Sequence, residues 1–84
     1  MTQKILTSKE WVLLNSNREP MVIQNRGFTP VEIGVSTDEN SPPSAGFLVK
    51  FMESFAYPGG EYVWARSNSE SIIVVDKLPL PTSQ

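Results

Sequence analysis

The stretch EYVWARSNSESIIVV, residues 61–75, sets two apolar runs on either side of a polar trio, and its reading decides the fold. Val, Ile, Tyr and Trp favour pleated, half-buried backbone, and Ser67, Asn68 and Ser69 are turn formers. The stretch therefore predicts an antiparallel hairpin in which Arg66 faces Glu70, Trp64 faces Ile72, Val63 faces Ile73 and Tyr62 faces Val74. Both faces of that ribbon are apolar. A short chain has little material with which to cover two faces.

Working outward, prolines and glycines punctuate the rest at the spacing of turns in a small β domain. Val31, Ile33 and Val35 alternate with Glu32 and Gly34, the period of a half-buried strand. Met21 to Gln24 precede it, and the intervening NRGFTP predicts a hairpin with Gly27 at positive φ. STDENSPPSAG, residues 36–46, reads as a polar loop, and GFLVKFMESFAYPGG as one or two strands bent near Lys50. The TSKE box at 7–10 suits a helix start, but WVLLN is short and an isolated single turn is marginal, which favours a strand. The expected fold is all-β: a small antiparallel β-sandwich or barrel of about six or seven short strands with an extended C-terminal tail. One domain spans 1–84, with an N-terminal arm at 1–9, a β core at 10–76 and a tail at 77–84.

A domain of 84 residues buries only about 60 to 65% of the surface its unfolded chain exposes. Small domains compensate with disulfides, a metal or oligomerisation. The chain has no Cys and no His, which removes the first route and leaves zinc without a ligand set, so a homo-oligomer is expected. A net charge of −2 gives no basic field for nucleic acid. Runs such as FLVKFM are far shorter than a bilayer span, and the start lacks the apolar centre of a signal peptide. A soluble protein made in the cytoplasm, with no membrane partner, is the expectation.

Catalysis needs a positioned nucleophile, base or metal, and the residue types that most often serve are missing. Asp38 and Glu39 sit in a polar loop and read as a solvated pair; their spacing is not that of a calcium loop. Gly59 and Gly60 precede no helix and no Lys-Ser/Thr, so they form no phosphate loop. No enzyme and no cofactor are expected. The informative side chains are aromatic. Trp64 either fills the core, contacts another subunit or stacks on a sugar; Phe28, in a turn, either folds back or inserts into a partner. Candidate partner-binding residues are Phe28, Tyr62, Trp64, Arg66, Leu78 and Leu80.

The segments VIQNRG (22–27), PVEIGVS (30–36), GF (46–47), YVWARS (62–67) and IIVV (72–75) together resemble a pattern in small tailed-bacteriophage virion structural proteins. The resemblance covers roughly residues 10–76 and departs from the pattern at LVKFMESF, where a Gly-containing turn is expected before Glu53. It implies a capsid decoration or cement protein, located on the capsid surface, that assembles, commonly as a trimer, and binds the major capsid protein lattice. A carbohydrate-binding or adaptor module of a phage tail or head fibre is the alternative it leaves open.

Overall fold

The computed structural model describes residues 2–77. It is all-β there, with eight strands: β1 (Thr2–Thr7), β2 (Val12–Leu13), β3 (Met21–Asn25), β4 (Val31–Ser36), β5 (Phe47–Val49), β6 (Ser54–Tyr57), β7 (Tyr62–Ser67) and β8 (Ser71–Lys77). They form two four-stranded antiparallel sheets, ordered β1-β8-β3-β6 and β2-β7-β4-β5, packed as a sandwich. Four of the pairings are nested: β4 with β5, β3 with β6, β2 with β7 and β1 with β8. The chain is thus one long two-stranded ribbon, tipped by the 37–46 loop, that crosses three times between the sheets. Such an order is that of a jelly roll.

The inward positions follow the two-residue period. Met21 and Ile23 of β3, Val31 and Ile33 of β4, Val63 and Ala65 of β7, and Ile73 and Val75 of β8 form a fully buried core. Phe47 of edge strand β5 meets Phe55 of edge strand β6 edge-to-face at 4.8 Å, closing that side of the sandwich.

The three crossings are pinned by buried polar side chains. At the crossing formed by loops 26–30 and 50–53, Asn25 donates from Nδ2 to Thr29 O and Val49 O, both at 2.9 Å. Its Oδ1 accepts from the Gly27 N–H at 2.9 Å and from Ser71 Oγ at 3.3 Å. All four side-chain hydrogen-bonding sites are filled, which makes burial of an amide tolerable. At the opposite end, where loops 14–20 and 58–61 cross, Asn15 donates to Glu19 O (3.1 Å) and Glu61 O (3.0 Å) and accepts from the Val63 N–H (2.6 Å). The third crossing joins β1–β2 to β7–β8, where Thr7 Oγ1 and Ser67 Oγ lie 2.9 Å apart and the Ser67 N–H reaches Ser8 O at 2.7 Å.

Three expectations are corrected. The strand count is eight, because residues 2–7, expected as part of an arm, pair along β8 from Thr2↔Asp76 to Thr7↔Ser71. Ile5 packs against the core from this strand, and Thr7 is buried. Neither expected hairpin forms: β3 and β4, and likewise β7 and β8, lie in different sheets. Ribbons apolar on both faces are better satisfied when each strand turns one face to the core and finds partners in its own sheet. Among the described residues φ is positive at Arg18, Met52, Gly59 and Gly60, not at Gly27. It is small for another reason: a Cβ there would collide with Ser71 Oγ and lie 2.8 Å from the Ile72 nitrogen. The expected C-terminal tail beyond Lys77, including Leu78 and Leu80, lies outside the described residues.

Removing the amide of Asn25 leaves Val49 O and the Gly27 N–H without that partner, at about 1–3 kcal/mol per buried orphan, while Thr29 O keeps the Ser71 hydroxyl at 3.1 Å. Urea denaturation of Asn25→Ala is expected to show a loss of roughly 3 kcal/mol or more. The exposed Asn68→Ala should stay within about 0.5 kcal/mol of the parent.

Candidate functional site

Two surfaces collect the side chains singled out by sequence. The first is the outer face of the β2-β7-β4-β5 sheet, onto which β7 projects Tyr62, Trp64 and Arg66. Trp64 lies between Leu13 of β2 and Gly34 of β4 in register. Gly34 has no side chain to compete for that space, and the indole Nε1–H reaches across to Ser36 Oγ at 2.9 Å. Pro43 folds back over Gly34, so close that a Cβ there would stand 2.5 Å from Pro43 Cγ. The chain's own Pro-rich loop therefore helps roof this face, and Trp64 is only 8% exposed. Tyr62 is half-buried, with the Arg18 guanidinium 5.9 Å from its ring centre.

Arg66 does not meet Glu70, as the hairpin register required, because β8 belongs to the other sheet. Its Nε donates to Glu32 Oε1 at 2.7 Å, and its guanidinium lies over the Trp11 ring at 4.3 Å. Glu32 Oε2 accepts from the Gly46 N–H at 2.8 Å. The hydrogen bond from Arg66, then that from Gly46, holds the Glu32 carboxyl below its ordinary range. Arg66, Glu32 and Leu48, in line across β7, β4 and β5, border a cleft of about 420 Å³ that Lys9, Pro30, Ser67 and Asn68 complete.

The second surface is one end of the sandwich, where loops 26–30 and 50–53 lie together. Phe28 is 87% exposed and stacks on Phe51 at 4.8 Å. Met52 beside it is also exposed and holds φ at +67°, a left-handed conformation that costs a side-chain-bearing residue on the order of 1 kcal/mol. Three bonds hold that conformation: the Met52 N–H to Asn25 O at 2.7 Å, the Glu53 N–H to Lys50 O at 3.0 Å and the Lys50 N–H to Glu53 Oε1 at 2.8 Å. The same Asn25 that pins the crossing thus also supports an apolar tip. Phe28 neither packs into the core nor stands alone; it forms a pair. The sequence pattern around Phe51 and Met52 is that of a strand bent near Lys50, and the turn they form is closed by Lys50 and Glu53.

The outer face of the other sheet carries a third apolar feature: Leu6, 60% exposed and opposite Ile72, with Val74 and Val22 further along. The structure thus separates the six residues proposed from sequence. Phe28 stands at the tip, Tyr62, Trp64 and Arg66 share the roofed face, and Leu78 and Leu80 fall outside the described residues. Tyr57 is buried and accepts the Glu61 N–H at its hydroxyl, and burial pushes that hydroxyl's pKa up. No protein-family model, curated protein or solved structure matches the chain.

If the roof over Trp64 is intrachain, Trp64→Ala should cost roughly 3–5 kcal/mol in chemical denaturation at every protein concentration. A cost that fades on dilution would assign the indole to a subunit contact. Glu32, depressed when folded, contributes stability above its unfolded pKa, and that contribution disappears as pH falls through the folded one. The melting-temperature gap between the parent and Glu32→Gln should therefore be open at neutral pH and close in the acid range. Parallel curves would contradict the pairing.

Proposed function

We propose that this chain is a virion structural protein, a capsid decoration or cement protein that self-associates, with a trimer as the expected state, and binds the major capsid protein lattice. The observation that carries the reading is the Phe28–Phe51 stack with Met52 at one end of a sandwich whose interior is otherwise filled. Large aromatic side chains displayed together on a supported turn are the anchors of protein interfaces, where burial of each is worth several times an average contact. The sequence pattern of small phage virion proteins agrees with it. So does the jelly-roll strand order, which viral capsid domains use among other proteins; that agreement is at the level of fold and is an analogy.

In this reading the tip docks into the lattice, while the strip of Leu6, Ile72, Val74 and Val22 supplies a surface for self-association. Sugar stacking has less to work with, since Trp64 and Tyr57 are each 8% exposed.

The double variant Phe28→Ser/Phe51→Ser should fold with a parent-like melting curve, because neither ring belongs to the core, and should no longer sediment with assembled capsids. Its mass by light scattering should match that of the parent. Undiminished co-sedimentation would contradict the assignment of the tip, and a parent protein that stays a 9.4 kDa monomer at every concentration would contradict self-association.

A further inference from the structure

We infer that the cleft between Arg66 and Lys9 is a carboxylate-binding site for an extended acidic peptide segment of a partner protein. Arg66 is fixed from two sides, by Glu32 Oε1 at 2.7 Å and by the face of Trp11 at 4.3 Å, so its guanidinium is held before a ligand arrives. Only Nε is used. Among the described residues nothing accepts from its two terminal nitrogens, which together carry four N–H donors. The side chain is 35% exposed, enough to be reached from the cleft. Lys9 lines the same cleft and forms no ion pair among the described residues.

The charge lining the cleft itself favours an anionic ligand, with Glu10 and Glu70 lying beyond Lys9 in the adjoining hollow. Arg66 and Lys9 against Glu32 leave the cleft at +1, on a chain whose total is −2. Glu32 is already satisfied by Arg66 and the Gly46 N–H, so it orients the guanidinium without closing off its outer edge. A planar fork with free parallel donors matches a carboxylate, which it can bind through two hydrogen bonds. The walls add the second element. Leu48, 62% exposed, and Pro30 flank the charged pair with apolar surface, as suits a peptide carrying aliphatic residues next to Asp or Glu. At about 420 Å³ the space holds one or two such side chains. This site is separate from the aromatic tip, and the inference does not depend on capsid binding.

The test is a nitrogen–proton correlation titration of the full chain with two end-blocked peptides, Ala-Leu-Glu-Leu-Glu-Ala and its Gln-for-Glu counterpart. The Glu peptide is expected to shift the amides of Lys9, Leu48, Arg66 and Asn68 and the Trp11 indole, and to weaken as salt is added. The Gln peptide should bind about tenfold more weakly, and Arg66→Gln should reduce Glu-peptide binding to the same level. Lys9→Gln, at an exposed residue outside every strand, gives an independent reading: it should weaken the Glu peptide severalfold even if Arg66→Gln compromises folding. Equal binding of the two peptides, shifts centred on Phe28 and Phe51, or no shift at millimolar peptide would each overturn the inference.

Discussion

The fold depends on the corners at which a two-stranded ribbon passes from one sheet to the other. Each crossing brings two connecting segments together and leaves backbone groups turned inward, where an unpaired N–H or C=O costs about 1–3 kcal/mol. Asn25, Asn15 and the Thr7–Ser67 pair meet that demand, each linking segments far apart in sequence. An amide supplies two donors and an acceptor on a short stem, so it can bind both connectors of a crossing at once. With these corners held, the nested register follows, and the alternation of β3, β4, β7 and β8 turns their apolar positions into one core.

The corners also explain how so short a chain covers strands that are apolar on both faces. Part of the cover comes from within: the 37–46 loop doubles back over Gly34, the cross-strand neighbour of Trp64, while β1 extends the other sheet beside β8. What stays uncovered lies at the Phe28–Phe51–Met52 tip, in the strip around Leu6 and at Phe47 and Leu48 of edge strand β5. The tip is tied through the backbone of Asn25 to the same crossing that organises the core, so a rigid interior presents an apolar end.

Much of the architecture was legible in the sequence. The period of Val31, Ile33 and Val35, the polar loop after Ser36 and the bend near Lys50 all stand where the pattern put them. Pairing was not legible, because local alternation gives a strand's faces but not its neighbours, and a three-residue polar connector serves equally for a hairpin or for a crossing between sheets. Arg66 shows the consequence: in a hairpin it would meet Glu70, whereas across β4 and β7 it meets Glu32. Residues 2–7 were missed for a related reason, since TQKILT shows a strand face only once β8 lies beside it. Of the site, Phe28 was visible as a bulky ring in a turn, but its partner Phe51 becomes visible only when two loops distant in sequence share a corner.

Cross-strand nuclear Overhauser contacts between α-protons test the nested ribbon most directly. The account predicts contacts for antiparallel partners such as Ile33–Ala65 and Ile23–Val75, with Leu6 close to Ile72. Contacts pairing Trp64 with Ile72 and Tyr62 with Val74 would mean that β7 and β8 form a hairpin in one sheet, and would contradict it.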